Sequence, residues 1–306
     1  MKNDWHLKTA VALFVFNRPE TSELVFSAVR QAQPPQLFVV ADGPRRSRPG
    51  EEILCQQTRD LLQKVDWPCE LRLNFADENM GCMRRVSSGL DWVFSIVEEA
   101  IILEDDCLPH PDFFRFTEEL LGRFRDDQRI AHIGGVNFQR GQNRSKYSYY
   151  FSRYNHCWGW ASWRRAWKSN DNEMTFWPEF RDGNWLESFL GSESEAAYWQ
   201  KILDMVYDGR IDSWACRWTL SCWREGMISI LPSVNLVSNV GFGPTATHTS
   251  TTNEFSNIPV QEISFPLKHP VVRLPDKNAD EYTARRMFRE KSYFEKLIRL
   301  LFGCNQ

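Results

Sequence analysis

The sequence lacks the features that mark several special classes of protein. No stretch approaches the roughly 18 consecutive apolar residues that a membrane-spanning helix needs. The 8 cysteines are scattered without a Cys-x-x-Cys pair, so nothing predicts a zinc or redox site. Internal repeats and low-complexity tracts are absent, and a net charge of −3 gives no basic excess for general nucleic-acid binding. With 42% hydrophobic and 25% charged residues, the chain has the composition of an ordinary folded protein.

The N-terminus does not have the pattern of an export signal. The basic start Met1–Lys8 precedes an apolar run, Ala10–Phe16, which could imitate a signal peptide. This run is short, however, and it ends in Asn17-Arg18-Pro19 without a small-residue cleavage site. We therefore interpret it as a buried β-strand and expect a cytoplasmic protein whose cysteines are reduced.

The first third of the chain alternates short apolar runs with amphipathic segments. The apolar runs predict strands, and the segments with apolar residues at helical spacing predict helices. The predicted strands are Val11–Phe16, Leu37–Ala41, Cys69–Phe75 and Ala100–Leu103, and the predicted helices are Glu20–Ala32, Glu51–Val65 and Gly81–Glu98. This order predicts an α/β fold with a mostly parallel sheet and helices on both faces.

The pattern changes after Asp112. Residues 130–180 are aromatic, punctuated by glycine and without a clear period. Elsewhere we predict helices over Phe113–Phe124, 195–209, 212–225 and 280–302, and a strand over Ile228–Ile230.

Three consecutive acids, Glu104-Asp105-Asp106, follow the fourth predicted strand, where α/β sheets bind ligands. Such carboxylates repel one another and cannot be buried unpaired. A divalent cation with a diphosphate would satisfy them, because carboxylate, phosphate and water oxygens together fill its coordination shell. A solvated acidic turn that caps the following helix is the alternative.

Other polar residues fall at the same predicted edge of the sheet. The carboxylate of Asp42 could accept hydrogen bonds from a base edge or a ribose hydroxyl, and Gly43 would let a ligand approach the backbone. A plain Asp-Gly turn explains this pair equally well. Arg18, Arg84 and Arg85 would suit phosphates or simply form a solvated helix face.

Several motifs occur in one order over about residues 10–250. They are Val15–Arg18, Val39–Gly43, Met83–Leu90, Ile102–Asp106 followed by Pro111-Asp112-Phe113-Phe114, Cys157–Trp160, Ile211–Trp214, Gly241–Gly243 and Thr247-His248. This ordered set resembles the GT-A nucleotide-sugar glycosyltransferases, and most closely the group related to N-acetylglucosaminyltransferase I. The chain departs from that group at Arg85, where the family has His, and at Asp212-Ser213, where the family has two acids.

The resemblance implies a role for each matching residue. Asp106 would ligate a divalent cation, Mn²⁺ or Mg²⁺, which neutralises the leaving diphosphate. Asp212 would be the catalytic general base, taking a proton from an acceptor hydroxyl as it attacks with inversion. The nucleotide-sugar would be bound by Asn17, Arg18, Asp42, Gly43, Arg85, Glu104, Asp105 and His248.

Two of these roles have structural alternatives. Asp212 is well placed to be the N-cap of the following helix, and the two roles are compatible. His248 could contact the diphosphate or the metal, or be structural.

The chain is rich in aromatic residues, which account for 14% of it, including 13 Trp. Ten of the tryptophans lie between positions 158 and 223. Trp214 and Trp218 have the spacing of helical core residues. Trp158 and Trp160, in a glycine-flanked loop, are candidates for stacking on the sugar rings of an acceptor.

Together these features predict an inverting, metal-dependent glycosyltransferase that moves a sugar from a UDP-sugar, such as UDP-GlcNAc, to a hydroxyl of a glycan or glycolipid in surface polysaccharide synthesis. Residues 1–110 would be the nucleotide-sugar-binding half of a single GT-A domain, 111–257 the acceptor and catalytic half, and 258–306 a C-terminal extension. One alternative is a sugar-phosphate nucleotidyltransferase, which needs a glycine-rich basic loop that Asn17–Glu20 does not supply. The other is a non-catalytic carbohydrate-binding protein with aromatic platforms.

The predicted C-terminal helix, 280–302, is basic and amphipathic. It could lie on an anionic membrane at the inner face, near a lipid-linked acceptor. Packing against the domain or against a second copy of the chain, as a homodimer, is the interpretation that we favour.

Overall fold

The computed structural model describes residues 5–142, 144, 146–242 and 257–288. Within these ranges the strands are β1 (Ala10–Val15), β2 (Gln36–Ala41), β3 (Glu70–Phe75), β4 (Glu99–Glu104), β5 (Cys107–Pro109), β6 (Ile130–Gly134), β7 (Tyr149–Ser152), β8 (Trp160–Trp163), β9 (Ile228–Pro232) and β10 (Val237–Asn239). The helices are α1 (Pro19–Ala32), α2 (Glu51–Asp60), α3 (Cys82–Ile96), α4 (Pro111–Phe124), α5 (Arg164–Trp167), α6 (Trp177–Asp182), α7 (Trp185–Leu190), α8 (Glu193–Tyr207), α9 (Trp214–Arg224) and α10 (Lys277–Met287), with a short 3₁₀ helix at Leu61–Lys64.

One large sheet runs through the molecule. Its 8 strands have the order β3-β2-β1-β4-β8-β6-β9-β7, and only β8 and β7 run against the others. The predicted α/β class with a mostly parallel sheet is therefore confirmed. A separate antiparallel pair joins β5 to β10 and brings Asn239 opposite Cys107.

Helices cover both faces of the sheet, as the apolar pattern predicts. Successive residues of β1 point to opposite faces, and every residue of the strand is buried. Val11 and Leu13 belong to the core that packs against α1 and α4, whereas Ala12 and Phe14 belong to the core that packs against α3 and α9. The continuous apolar run of β1 is thus explained by burial on both sides.

A third, mainly aromatic core lies among α6, α7, α8 and α9. Trp177, Trp199 and Trp223 are buried in it, and the rings of Trp199 and Trp223 pack edge to face at 4.9 Å. Helix α9 connects this cluster to the sheet, because its Trp218 lies in the sheet core and its Trp223 in the helical cluster. This helix therefore links the two parts of the molecule.

The structure differs from the predicted elements mainly between 130 and 180. Three strands and two helices lie there, and their pattern was obscured by polar residues buried through specific partners. His132, in the middle of β6, donates from Nε2 to the carbonyl of His156 at 3.1 Å and stacks on Trp160. Helix α2 ends at Asp60, five residues early, and continues as the 3₁₀ helix.

The C-terminal helix begins three residues before its predicted start. The side chain of Asp276 caps α10 by accepting a hydrogen bond from the amide of Ala279, so the helix starts at Lys277. Positions 289–302 of the predicted helix lie outside the described residues. No helix in the described part of the chain is long and apolar enough to cross a bilayer.

Candidate functional site

A cleft of about 380 Å³ opens where β1, β2 and β4 end, between the N-termini of α3 and α9. Its inner wall is apolar and includes Phe14, Val40, Val86 and Trp214, none of which the sequence singled out as site residues. Most of the predicted polar residues meet in this cleft, namely Arg18, Asp42, Arg85, Glu104, Asp105, Asp106 and Asp212, together with Trp158. The predicted residues Asn17, Gly43 and Trp160 do not line it.

The three acids occupy the turn between β4 and β5. Glu104 is the last residue of β4, half-buried and facing the cleft. Asp105 is buried and accepts hydrogen bonds from the amide of Phe16, at 3.3 Å, and from the guanidinium of Arg18. Burial raises the pKa values of Glu104 and Asp105, and the charge of Asp106 adds to this effect. The strand end therefore concentrates negative charge that needs a cation.

Arg18 supplies that cation within the protein. It forms an ion pair with Asp105, and its Nη2 lies 3.0 Å from Oδ2 of Asp106. Burial opposes the charged guanidinium, but the two carboxylates raise the pKa of Arg18 above its ordinary value. The backbone at Gly241 covers this pair: a Cβ there would clash with the Asp106 carboxylate and lie 2.6 Å from Nη1 of Arg18.

The acids fit a divalent cation only if a ligand supplies most of the coordination. Oδ2 of Asp106 contacts Arg18, and Oδ1 lies 3.4 Å from Sγ of Cys107. Among the described residues, no group of three or more His, Cys, Asp or Glu side chains is arranged to hold a metal ion. The arrangement suits a cation that takes one carboxylate from Asp106 and the remaining oxygens from a diphosphate and water.

Asp42 ties the end of β2 to the loop before α3. Its Oδ1 accepts from the amides of Gly43 and Met80, and its Oδ2 accepts from the Asn79 side chain, each at 2.9 Å. Burial raises the pKa of Asp42, although the amide donors oppose this. The prediction that Gly43 gives a ligand room was wrong, because a Cβ there would lie 2.5 Å from the backbone of Glu78. Gly43 lets this loop, and not a ligand, approach the strand.

Arg85 also joins strand ends. Its Nε donates to the carbonyl of Ala41 at 3.1 Å, and its Nη2 donates to the carbonyl and to the side-chain Oδ1 of Asn74. Arg85 is therefore buried and not part of a solvated helix face, whereas Arg84 is exposed. These three hydrogen bonds all go to protein atoms, so the Arg85 side chain stabilises the shape of the cleft.

A chain of contacts connects Asn17 to a cleft residue that the sequence did not single out. The side-chain amide of Asn17 donates from Nδ2 to Oε1 of buried Glu51 at 2.9 Å. Glu51 accepts in turn from the backbone and guanidinium of Arg45, which lines the cleft and lies over the ring of Phe16. Asn17 thus positions Arg45. The sequence feature that points to Arg45 is its position directly after Asp42-Gly43-Pro44, which follow the end of β2.

Asp212 is held by the N-terminus of a different helix. Its two carboxylate oxygens accept hydrogen bonds from the amides of Cys82, at 2.8 Å, and Met83, at 3.0 Å. The expected role as N-cap of α9 was wrong, because Ser213 caps that helix by accepting from the amide of Cys216. Asp212 remains exposed, so it combines a fixed orientation with access to solvent and ligands.

The two candidate tryptophans have different environments. Trp160 is fully buried, stacked on His132 and on Trp214 with ring centroids 4.9 Å and 5.4 Å apart. The prediction that Trp160 stacks on an acceptor sugar was therefore wrong, since this position lies in β8 and faces the core. Trp158 is half-buried, lines the cleft and packs edge to face against Phe242.

His248 lies outside the described residues. The chain on either side of positions 243–256 is fixed beside the cleft. Gly241 and Phe242 line it, and the amide of Asn257 donates to the carbonyl of Asn239 at 3.2 Å.

No family model and no curated protein matches the chain. Among solved structures, the 4-diphosphocytidyl-2C-methyl-D-erythritol synthase of Anaerococcus prevotii is similar to it over 57% of this chain and 84% of that chain. The identity is 13% and the TM-score is 0.33. A likeness of this size carries no conclusion about activity.

Proposed function

We propose that the protein is an inverting, metal-dependent glycosyltransferase that moves a sugar from a UDP-sugar to a hydroxyl of a glycan or glycolipid. The observation that carries the proposal is the meeting of separate carboxylates in one cleft at the carboxyl ends of parallel strands. The acidic strand end, Asp42 and Asp212 come from three distant parts of the chain. Such a cleft can bind a nucleotide, a diphosphate with its cation, and an attacking hydroxyl at once.

Each carboxylate has its own task in this reaction. Asp106 would hold Mn²⁺ or Mg²⁺ together with diphosphate oxygens and water, and Glu104 would accept hydrogen bonds from donor hydroxyls. When bound, the cation would neutralise charge on the leaving diphosphate. Oδ2 of Asp42 accepts from the Asn79 side chain, and its remaining acceptor capacity would suit the edge of a base or a ribose hydroxyl.

Asp212 would be the general base. Its oxygens each accept one amide hydrogen bond, so further lone pairs remain for the acceptor hydroxyl. The two amides fix the carboxylate at the rim of the cleft, which is what an aligned proton transfer requires. The proton of the acceptor hydroxyl would move to Asp212 as the oxygen attacks the anomeric carbon and the bond to the diphosphate breaks.

The nucleotidyltransferase alternative has less support. Only residues 16–18 separate β1 from α1, and the helix starts at Pro19. This connection leaves no room for a glycine-rich loop that could surround a triphosphate. If the protein only bound carbohydrate, Asp106 and Asp212 would be dispensable for its function.

Hydrolysis of a panel of UDP-, GDP- and dTDP-sugars, in which water replaces the acceptor hydroxyl and takes the sugar, tests the proposal when nucleotide release is measured with and without Mn²⁺. We expect release of UDP only, and only with Mn²⁺. Asp212→Asn should lower the rate by about 10²- to 10⁴-fold while UDP affinity stays unchanged. Asp208→Asn is the matched control, since Asp208 is an exposed acid paired with Arg210. Unchanged turnover in Asp212→Asn would remove the base assignment, and no release from any donor would contradict the proposal.

A further inference from the structure

A second cavity, of about 480 Å³, lies at the far end of α9 from the cleft. Aromatic rings from α6, α7 and α9 line it, and we name it the aromatic groove: Phe176, Phe180, Trp185, Phe189 and Trp223. Its volume falls within the range of small-ligand sites, roughly 300–1,000 Å³. Nothing in the proposed reaction uses this surface.

Trp185 is the exposed ring of the groove. Its exposed fraction is 56%, whereas all the other tryptophans of the chain are buried or half-buried. The indole packs on the backbone of Gly183, where a Cβ would lie 2.7 Å from Cδ1 of Trp185. Contact with the glycine backbone limits the motion of the ring, and the exposed remainder of the ring faces the groove and solvent. Together with the neighbouring rings of the groove, the indole forms a contiguous apolar surface, and such surfaces mark binding sites.

Polar side chains stand beside the rings. The carboxylate of Glu179 and the hydroxyl of Ser188 are exposed, and neither has a hydrogen-bond partner within the described part of the chain. Arg224 lies over the ring of Phe176 at 4.5 Å and donates to the carbonyl of Ser169. The groove therefore offers apolar faces next to hydrogen-bond acceptors and donors. Glu179 and Arg224 are the charged residues of the lining, and Arg224 is already paired with Glu225 at 2.8 Å.

We propose that the aromatic groove binds an uncharged oligosaccharide, with a pyranose ring stacked on Trp185. A pyranose presents C–H groups on its faces and hydroxyls around its edge, which matches a flat indole flanked by Glu179 and Ser188. An anionic ligand would have to compete with Glu225 for Arg224.

The position of the groove connects it to the cleft. Trp214, at the start of α9, lines the cleft, and Trp223, near its end, lines the groove. At 1.5 Å per residue, about 14 Å of helix separates them. One oligosaccharide could thus bind in the groove while another part of the same molecule places its acceptor hydroxyl in the cleft. This last step rests on the proposed function, whereas the binding itself does not.

Titration of the tryptophan indole N–H signals in a ¹H–¹⁵N spectrum tests the inference directly. The probes are neutral hexasaccharides of glucose, mannose and N-acetylglucosamine, and Trp185→Ala identifies the Trp185 signal by its loss. We expect at least one hexasaccharide to shift this signal. Trp185→Ala should weaken its binding, measured by calorimetry, at least tenfold. Tyr207→Ala is the matched control, because Tyr207 is 45% exposed and lies outside the groove.

Three results would overturn the inference. They are no shift of the Trp185 signal with any hexasaccharide, unchanged affinity in Trp185→Ala, or a dimer in sedimentation velocity that Trp185→Ala dissolves. UDP with Mn²⁺ should instead shift the signals of Trp158 and Trp214, in wild type and in Trp185→Ala alike. If UDP shifts nothing while a hexasaccharide shifts Trp185, the proposed function fails and the groove assignment stands.

Discussion

The two ends of α9 differ in how they could recognise a ligand. At its N-terminus lies the cleft, where carboxylates from three parts of the chain collect and Arg18 balances two of them. At its C-terminus lies the aromatic groove, which is lined mainly by aromatic rings. Buried charge requires partners inside the protein, whereas exposed rings require only a rigid support. The cleft is thus built from long-range polar contacts, and the groove from local packing.

The same contrast runs through the tryptophans. The surplus between positions 158 and 223 divides into a sheet core, a helical cluster and the single exposed ring of Trp185. Most of this surplus is therefore structural, and its two less buried rings are Trp158, beside the cleft, and Trp185, in the groove. Substitutions that separate structural from ligand-facing residues test the comparison, and they are ordered below by expected effect.

The largest expected difference in unfolding free energy is between alanine variants at Trp160 and at Trp158. Trp160→Ala removes a fully buried ring between His132 and Trp214, and large-to-small changes of this kind cost about 3–5 kcal/mol of unfolding free energy. Trp158→Ala, two positions earlier, should cost less than about half as much because its ring is only half-buried. Urea unfolding of both variants is the measurement. Equal losses would show that Trp158 is also a core residue.

Removing the counter-charge of the cleft should cost about 3 kcal/mol. Arg18→Gln leaves Asp105 buried without its ion-pair partner, and breaking one side of a buried pair is strongly destabilising. Arg30→Gln is the control, since its pair with Asp66 is exposed and contributes little to stability. Thermal unfolding with and without Mn²⁺ distinguishes them. We expect Mn²⁺ to stabilise Arg18→Gln more than wild type, and an Arg18→Gln protein as stable as Arg30→Gln contradicts this role.

The buried surroundings of His132 and His156 should exclude charge, in contrast to the cleft. Burial lowers the pKa values of His132 and His156 to about 3, from 6.5 when unfolded. Because the unfolded chain binds more protons between these values, stability is fully present above pH 6.5 and falls as the pH drops towards 3. Well below pH 6.5, the free energy of unfolding should fall by about 1.4 kcal/mol per pH unit for each histidine.

His156→Phe checks this pH dependence. Its Nε2 has no hydrogen-bond partner within the described residues, so the ring can be replaced without leaving a donor unpaired. Urea unfolding between pH 7.5 and 5 should show a shallower decline than in wild type, by about 1 kcal/mol per pH unit. His6→Gln, at an exposed position, should decline as steeply as wild type. A wild-type slope in His156→Phe would mean that this ring is protonated in the folded protein.

The alternation of elements was predictable where local pattern decides the structure. The strands and helices of the first third were placed within a few residues. Strands β1, β2 and β4 contain continuous apolar runs, β3 alternates apolar and polar residues, and α1 and α3 have one apolar face. Residues 130–180 were not predictable in this way. Strand β6 contains His132, whose burial depends on a carbonyl 24 positions away.

The site was predictable in its chemistry and less so in its contacts. The positions of Arg18, Asp42, Glu104 and Asp106 follow from strand ends meeting at one edge of the sheet. That Asp212 binds the amides of α3, about 130 positions earlier, is a tertiary contact with no local signal. The sequence likewise could not tell whether a bound metal ion or the guanidinium of Arg18 is the partner of the acids, since either would balance their negative charge.

The most direct test of the cleft is the thermal shift produced by UDP, with and without Mn²⁺, in wild type and in Asp106→Asn. Saturating ligand at 100 times its Kd should add about 2.7 kcal/mol of stability. We expect UDP to raise the Tm of the wild type only when Mn²⁺ is present, and to leave Asp106→Asn unchanged under both conditions. An equal rise with and without Mn²⁺, or no rise at all, would contradict a metal-dependent UDP-sugar site.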